Sequence, residues 1–446
     1  MNPEEDSPGN EAVVEHSTRS TRREFVKTAA VTAASLAAGS LISCGTTSNA
    51  ARTVKIGYVA SKTGPLSPFA EADEFVLSGV RKLLVDGIAI NGIMHTVVII
   101  EKDSRSDPNR AAEVTSHLIK ADKVDLLISS GAPETVNPVA EQAEANQVPC
   151  ITNDAPWQGY FFGRGGKPGV GFEWTYHFFW GMEDIVAVCT NLWQMLPTNK
   201  VVGALWPNDT DGTAFADAST GFPSTLKKLG FTLVDTGRLA PTTNDFLGQI
   251  SAFKKAGVEI VTGTLTPPAF STFWSQAAQQ RLKPKITTVA KALLFPTSVE
   301  SLGGRGLNLS TEVWWSPYHP FRSGLTGQSC LEFCAEFESR TGKQWTQPLG
   351  MKHSLFEVAI DVLRRTKDID SRQAVLEAIR STDYHSIVGP INWIKSPYGN
   401  PVKNVCKTPL VGGQWVKGSK YKYDLLVVNN ATAPEIPTQA GLLPLP

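Results

Sequence analysis

The sequence predicts an α/β protein made of two doubly wound parallel-sheet units in tandem. Short aliphatic and β-branched runs alternate with amphipathic helical segments through most of the chain, a pattern typical of parallel sheets flanked by helices. The alternation stops in an aromatic-rich segment at residues 171–182 and restarts near residue 200. About 400 residues follow the N-terminal leader, which is enough for two domains.

The first unit reads as β-α-β-α-β and opens with VKIGYVA at residues 54–60, a buried-strand pattern. Asp107 and Pro108 occupy the cap and first position of a predicted helix, where a side-chain acceptor and a residue without an N–H are both favoured. The other elements are a helix near 71–85, a strand at 95–103, that capped helix at 107–122, a strand at 124–130, a helix at 133–147 and a strand at 148–152.

The second unit repeats this rhythm. Its strands are predicted at residues 200–207, 231–237, 258–265 and 284–290, and its helices at 213–230, 242–257 and 268–281. Three more helices are expected near Leu325–Ser339, Leu355–Arg365 and Ser371–Arg380. Hairpin strands follow from residue 389, and a Pro-rich tail closes the chain at 432–446.

The N-terminal segment has the composition of an export signal. Arg22 and Arg23 precede an apolar, Ala-rich run at residues 29–42, which is too short for a convincing membrane helix. The paired arginines resemble a twin-arginine signal, and the sequence LISC ending at Cys44 resembles a lipobox, in which the cysteine is acylated. A cleaved protein without a lipid anchor and an amphipathic surface helix are the alternatives.

Composition argues against several classes of partner. Lys and Arg together number 42, as do Asp and Glu, so neither nucleic acid nor an anionic membrane surface is expected to bind. Membrane attachment would therefore come only through Cys44. The five other cysteines cannot all pair with one another, and we expect buried free thiols.

No catalytic signature is present in the sequence. The chain lacks the G-x-S-x-G, H-E-x-x-H and Walker A patterns, and its seven histidines are scattered. The Gly-rich stretch at 163–171 does not have dinucleotide-binding spacing and reads as a surface loop. We expect neither enzymatic activity nor a cofactor or metal, although an exported enzyme remains an alternative because catalytic triads form in space rather than in sequence.

The order of these elements resembles the leucine/isoleucine/valine-binding family of ABC-importer solute-binding proteins. The segments that carry the resemblance are KIGYVASKTGPLSPFAEADEFVLSGV, EKDSRSDPNRAAEVTSHLI, DLLISSGAPETVNPVAEQAEANQVPCIT, ALWPNDTDGTAFADASTGFPSTLKKLG, NDFLGQISAFKKAGVEIVTGTLTPP and IVGPINW. The resemblance implies a type I periplasmic-binding fold, in which three chain crossings join two lobes around a ligand cleft. It also implies a membrane permease as partner; a receptor, for a sensory protein of the same fold, is the alternative.

The resemblance also implies where the lobes begin and end. We expect a signal, lipobox and linker at residues 1–52 and a C-terminal tail at 431–446. The first lobe would comprise 53–178 and 315–387, and the second 179–314 and 388–430.

The loops that correspond to the family's ligand loops supply the candidate site. These candidates are Phe69, Gly131, Ala132, Glu134, Thr135, Asn153, Asp154, Ala155, Trp157, Asp211, Thr264, Lys291 and Trp315. Trp314, Trp315 and Tyr318 could form an aromatic wall or pack at the hinge. Asp154 and Trp157 are bulkier than the small hydroxyl residues with which the family commonly holds a carboxylate, so they suggest a different ligand end.

Lys291 departs most sharply from the family pattern, which usually places an acid there against a ligand ammonium. If buried, Lys291 would meet an anion or pair with an acid such as Asp154 or Asp211, and otherwise it would lie in solvent. The resemblance thus implies a small ligand, either amino acid-like or a hydrophobic or aromatic carboxylate, with Lys291 favouring the carboxylate.

Overall fold

The computed structural model describes residues 51–446. The predictions for Arg22, Arg23 and Cys44 lie outside this range. None of the described helices is long and apolar enough to cross a membrane.

Two large sheets organise the described chain. The strands are β1 (Thr53–Ala60), β2 (Ile88–Ile90), β3 (Ile93–Asp103), β4 (Leu126–Ser130), β5 (Cys150–Asn153), β6 (Thr175–Phe178), β7 (Val201–Pro207), β8 (Thr232–Leu239), β9 (Ile260–Thr264), β10 (Ile286–Ala290), β11 (Ser310–Val313), β12 (Asp383–Ser386), β13 (Gly389–Asn392), β14 (Val405–Cys406), β15 (Val411–Lys417) and β16 (Tyr423–Asn429). The sheet orders are β14-β6-β5-β4-β1-β3-β2 and β16-β15-β11-β10-β9-β7-β8, and β12 and β13 form a separate hairpin.

Both sheets are mainly parallel, as the sequence predicted. In the first sheet only β2 runs antiparallel to its neighbour, β3. In the second, β15 and β16 add an antiparallel edge to five parallel strands. Parallel strands are buried on both faces by helices, which is why β4, β9 and β10 contain no exposed residue. The predicted fold class, two doubly wound lobes, is confirmed.

Thirteen α-helices of the described chain cover the two sheets. They are α1 (Asp73–Leu83), α2 (Pro108–His117), α3 (Pro133–Ala145), α4 (Trp157–Phe161), α5 (Met182–Gln194), α6 (Thr210–Phe215), α7 (Phe222–Lys228), α8 (Leu247–Ala256), α9 (Pro267–Gln279), α10 (Pro296–Ser301), α11 (Cys330–Thr341), α12 (Pro348–Arg365) and α13 (Arg372–Arg380).

Local side-chain chemistry explains where several helices begin and end. The Asp107 carboxylate accepts a hydrogen bond from the Arg110 N–H at 2.7 Å and Pro108 follows it, so the predicted cap of α2 is present. The predicted helix at 213–230 is instead two helices, α6 and α7. Asp217 separates them because its carboxylate accepts from the N–H groups of Ser219 and Thr220, which forms a turn in place of a helical turn.

The chain crosses between the lobes three times. After β6, α5 packs on the second sheet, where the Trp193 indole donates to Thr288 of β10 at 3.0 Å. After β11, the chain returns to the first lobe, where α12 places Phe356 against Tyr58 of β1, with ring centres 5.3 Å apart. The first crossing follows the end of β6 at Phe178, and the second follows the end of β11 at Val313.

The third crossing lies later than expected. Residue 388 was the predicted start of the closing strands of the second lobe, but the hairpin of β12 and β13 packs on the first lobe, with Trp393 5.2 Å from the Tyr176 ring of β6. The two-residue strand β14 then pairs with β6. The chain therefore enters the second lobe only after Cys406, and residues 388–406 belong with the first.

The described cysteines agree with the sequence-based expectation. Each of the five, namely Cys150, Cys189, Cys330, Cys334 and Cys406, is buried with a free thiol. Burial raises the pKa of the Cys330 thiol to about 12, so this thiol is protonated at neutral pH.

Candidate functional site

A cavity lies between the lobes, where the carboxyl ends of strands from both sheets face each other. Its walls are Phe69, Ala132, Asp154, Pro156, Phe179, Trp180, Asp211, Phe215, Thr264, Ala290, Lys291, Leu294, Glu312 and Trp314. The cavity that these side chains enclose has a volume of about 20 Å³, which is room for about one water molecule. The walls are therefore nearly in contact, and a ligand larger than a few waters requires the lobes to separate.

Aromatic side chains form much of the wall. The Trp314 ring stacks on Phe69 with ring centres 6.3 Å apart and meets Phe179 edge-on at 5.1 Å. Trp180 lies 4.7 Å from Phe179. Phe215 and Leu294 close the second-lobe side. Such a wall offers flat apolar surfaces to a ring-sized ligand body.

Lys291 is the centre of a charged cluster at the edge of the cavity. Its ammonium nitrogen lies 2.6 Å from a carboxylate oxygen of Asp211, 2.8 Å from Glu134 and 4.0 Å from Asp209. Its side chain is 8% exposed. Burial by itself would lower the pKa of Lys291, but the three carboxylates outweigh it and raise the pKa well above its usual value.

This cluster joins the two lobes. Glu134 lies in the first turn of α3 in the first lobe, whereas Lys291 follows β10 in the second. Of the three alternatives for Lys291, pairing with an acid is the one observed, and the solvent-exposed alternative is wrong. The argument that Lys291 favours a carboxylate ligand loses its basis, because Asp211 and Glu134 already neutralise the ammonium.

Two cavity residues have left-handed backbone conformations. Asp154 follows β5 with φ of 68° and Lys291 follows β10 with φ of 64°. For a residue other than glycine this region costs about 1–2 kcal/mol. Such strain persists where surrounding contacts fix it, and it is concentrated at binding sites. Here it turns both charged side chains at the strand ends into the space between the lobes.

Asp154 belongs to a buried polar chain in the first lobe. One oxygen, Oδ2, accepts from the Ser130 hydroxyl at 2.5 Å, and the Lys352 ammonium donates to the Ser130 carbonyl at 3.1 Å. The other oxygen, Oδ1, has no hydrogen-bond partner among residues 51–446. Burial raises the pKa of Asp154 to about 6, although Lys352 and Ser130 oppose this rise.

Two acids of the second lobe face the same cavity. Burial and the neighbouring carboxylates raise the pKa of Asp211 to about 7 in spite of Lys291, and the Oδ1 atom of Asp211 lacks a partner within the described chain. Burial raises the pKa of Glu312 to about 7, although Thr311 donates to its Oε2 atom at 2.9 Å. Each acid is easier to protonate than an exposed carboxyl group because burial disfavours its charged form.

Comparison with known proteins identifies the family. A family model described as periplasmic binding protein matches residues 53–413. The chain belongs to this family. No curated protein matches the sequence at the significance level applied.

Solved structures of periplasmic binding proteins share the fold at low sequence identity. The leucine-binding protein LivK of Thermotoga maritima is 19% identical with a TM-score of 0.67, and the match covers 85% of this chain and 99% of LivK. An ABC-transporter solute-binding protein of Rhodopseudomonas palustris BisB5, solved with 3,4-dihydroxybenzoic acid, is 17% identical with a TM-score of 0.67, covering 86% and 99%. These similarities confirm the predicted type I periplasmic-binding fold.

Six of the predicted site residues line the cavity. They are Phe69, Ala132, Asp154, Asp211, Thr264 and Lys291. Glu134 contacts Lys291 instead of lining the cavity. Ala132 and Thr264 stand at strand ends, which is where ligand loops of this family were expected.

The other candidates do not line the cavity. Gly131 has a φ of 146° and leads into α3. The Thr135 hydroxyl lies 3.2 Å from that of Ser61, and the Asn153 amide donates to the Met351 carbonyl at 2.8 Å. The Ala155 carbonyl and the Trp157 indole are also engaged, the first with His177 at 2.7 Å and the second with Glu183 at 3.1 Å.

Trp315 requires a correction. Its indole donates to the Ile387 carbonyl at 3.1 Å, and its ring packs on Gly350 of α12 and on Trp345. The preceding residue, Trp314, lines the cavity in its place.

Several wall residues were not predicted as site residues. These are Pro156, Phe179, Trp180, Phe215, Ala290, Leu294 and Glu312. For Trp314 the sequence leaves two alternatives open, an aromatic wall and packing at the hinge, and its ring lines the cavity. Phe179 and Trp180 lie in the aromatic segment at 171–182, and the position of this segment between the two predicted units is the signal that could have identified them. Glu312 carried none, because a single acid inside a short strand is not distinctive.

Proposed function

We propose that this protein is the extracytoplasmic solute-binding component of an ABC importer. It captures one small organic ligand between its lobes and presents the closed form to a membrane permease. The observation that carries this proposal is the nearly closed cavity at the facing strand ends, spanned by the Lys291–Glu134 ion pair. Membership of the periplasmic binding protein family supports it.

The residues present suffice for capture without catalysis. Separation of the lobes breaks the Lys291–Glu134 contact and exposes the aromatic wall, and a ligand then restores closure by adding contacts to both sides. Trp314 and Phe69 hold the apolar body, and the cavity acids orient its polar end. No step in this cycle changes a covalent bond, so neither a cofactor nor enzymatic activity is part of the proposal.

The route of export belongs to the same proposal. Arg22 and Arg23 would direct the protein to a twin-arginine exporter, and Cys44 would carry a lipid that anchors it to a membrane. Residence in the periplasm, or outside the cytoplasmic membrane, places the cavity where an importer collects its solute.

The size of the ligand follows from the family and the wall. The structures similar to this chain include LivJ of Streptococcus pneumoniae in complex with isoleucine and the Rhodopseudomonas protein with 3,4-dihydroxybenzoic acid. We propose a ligand in the same size range for this protein. Both the amino acid-like and the aromatic classes expected from the sequence suit the aromatic wall.

The neighbouring tryptophans provide a matched test. Residues 51–446 would be titrated with amino acids, aromatic acids and aromatic amines while thermal unfolding and tryptophan fluorescence are followed. At a hundredfold excess over Kd, a bound ligand stabilises the fold by about 2.7 kcal/mol. Trp314→Phe should weaken the binding of that ligand about tenfold because ring contacts are lost. Trp315→Phe should leave the affinity unchanged, because Trp315 faces the core.

Two outcomes would contradict the proposal. One is that no class in the panel stabilises the protein. The other is that Trp315→Phe weakens binding as much as Trp314→Phe, which would place the ligand outside this cavity.

A further inference from the structure

The charged lining of the cavity is unbalanced. Asp154, Asp211 and Glu312 contribute three carboxyl groups, and Lys291 contributes the only ammonium among the described lining residues. That ammonium already lies within 2.8 Å of oxygens from both Asp211 and Glu134. An incoming carboxylate would therefore meet a surplus of carboxyl groups and an ammonium that two carboxylates already contact.

Two of these acids have an unused acceptor atom. The Oδ1 atoms of Asp154 and Asp211 have no hydrogen-bond partner within residues 51–446, and the two residues are 3% and 2% exposed. Buried carboxylate oxygens without partners are rare and costly in folded proteins. Asp154 belongs to the first lobe and Asp211 to the second. A hydrogen-bond donor placed between the lobes could therefore supply the missing hydrogen bond to the Oδ1 atom of each residue.

The rest of the wall complements a cation on an apolar body. The faces of Phe69, Phe179 and Trp314 accept flat hydrocarbon surface, and aromatic faces also attract positive charge. The indole N–H groups of Trp180 and Trp314 have no acceptor within the described residues, so a neutral hydroxyl on the ligand would find donors there.

Resting on the proposed function, we propose that the ligand is an amine rather than a carboxylate. It carries a protonated nitrogen on a ring-sized apolar body, and that nitrogen donates to Asp154 from one lobe and to Asp211 from the other. The cavity supplies no cation for a carboxylate on the same molecule.

The test compares three ligands that share one body. Phenethylamine has the amine alone, hydrocinnamate the carboxylate alone, and phenylalanine both. Calorimetric titration of residues 51–446 should show binding of phenethylamine, weaker binding of phenylalanine by about tenfold or more, and no heat from hydrocinnamate. Asp154→Asn and Asp211→Asn should each weaken the binding of phenethylamine by about tenfold or more. Asp86 is an exposed acid of the first lobe, and Asp86→Asn should leave the affinity for phenethylamine unchanged.

The outcomes separate this inference from the proposed function. Tighter binding of hydrocinnamate or phenylalanine than of phenethylamine would overturn the inference and leave the solute-binding function intact. Unchanged affinity for phenethylamine in both variants would also overturn it. If only uncharged or anionic compounds of the wider panel bind, the inference falls and the function stands; if nothing binds, the function falls. Should Asp211→Asn fail to fold, Asp154→Asn decides.

Discussion

Lys291 makes the charged contact between the two lobes. Its ammonium is buried among Asp211, Glu134 and Asp209, and its backbone is left-handed. A buried cation is tolerated only with such partners, and removing one member of the cluster leaves uncompensated charge. The free-energy cost of burying these charges is therefore incurred where the two lobes meet.

Removal of this cation should destabilise the fold. Lys291→Met should lower the free energy of unfolding by about 3–5 kcal/mol, because it leaves buried carboxylates without their ammonium. Lys200→Met is the matched control: Lys200 also has a left-handed backbone, with φ of 61°, but it is exposed. Its effect should remain within about 0.5 kcal/mol. Urea denaturation of both variants checks this, and equal losses would mean that the cluster contributes nothing.

Amine affinity should increase as the pH rises through the pKa values of the cavity acids. Asp154 has a pKa of about 6 and Asp211 of about 7, and only their ionised forms pair with a cation. The amine itself stays protonated below about pH 9, near the usual behaviour of alkyl ammonium groups. Titration with phenethylamine should therefore show tighter binding at about pH 8 than at about pH 5.5.

The groups that face each acid set this pH dependence. Asp154 faces Ser130, Lys352 and Asp73 in the first lobe. On the other side, Lys291, Glu134 and Asp209 surround Asp211. The pKa of Lys291 lies well above its usual value because of these carboxylates, so the change in affinity should come from the acids. Constant affinity across these pH values, or weaker binding at the higher pH, would contradict the assignment.

At the scale of elements, α12 packs closely against the segment that follows β11. A Cβ atom on Gly350 would lie 2.2 Å from the Trp315 ring, far inside van der Waals contact. Gly350 therefore allows α12 to lie directly against the indole that follows β11. Trp315 packs in the core for this reason, while Trp314 faces the cavity between the lobes.

Two glycine substitutions should change the stability of the fold in opposite directions. Gly350→Ala should destabilise the protein by about 1–3 kcal/mol, because the methyl group overpacks the contact with Trp315. Gly79→Ala, inside α1 with no atom within 4 Å of the new Cβ, should stabilise it by about 0.5–1 kcal/mol. Thermal unfolding measures both. Stabilisation by Gly350→Ala would show that α12 does not rest on Trp315 in solution.

The elements were largely predictable from the sequence, and the exceptions have physical causes. Apolar periodicity is local, so eight strands (β1, β3–β5 and β7–β10) and most helices follow from it, and the Asp107 cap follows from its side-chain acceptor. The sequence analysis did not predict β2, β6, β11, α4, α5 or α10, which are short or begin in the aromatic-rich and loop segments. The break at Asp217 depends on side-chain bonds to the backbone that compete with the helix, which periodicity does not register. Strand β14 has only two residues, too few to form a pattern, and this explains the misplaced third crossing.

The site was predictable in position but not in its charges. Strand ends converge, so residues such as Asp154, Asp211 and Lys291 could be assigned to one place. Neighbouring residues at a strand end point in opposite directions, however, and the sequence could not decide between Trp314 and Trp315. Nor could it show that Lys291 of the second lobe meets Glu134 of the first, because the two residues are far apart in the sequence and meet only in the folded chain.

At the scale of the whole molecule, the Lys291–Glu134 ion pair at the cavity edge joins the second lobe to the first. Glu134→Gln keeps the side-chain shape but removes the charge, and a hydrogen bond to a charged group is worth about 1.5–3 kcal/mol. The unliganded variant should therefore shift towards the open form by about tenfold or more. Small-angle X-ray scattering should report a larger radius of gyration than for the wild type.

The same helix offers a control. Glu141→Gln changes an exposed acid of α3 by the same chemistry and should leave the scattering unchanged. Identical scattering curves for all three proteins would mean that the pair does not hold the lobes together.

The most direct measurement is a crystal structure of residues 51–446 grown with phenethylamine. The predicted result is a ligand between the lobes, with its ring against Trp314 and Phe69 and its nitrogen within hydrogen-bond distance of Asp154 and Asp211. A ligand bound elsewhere, for example in the open groove beside Phe162 and Thr220, would contradict both the site and the proposed mode of capture.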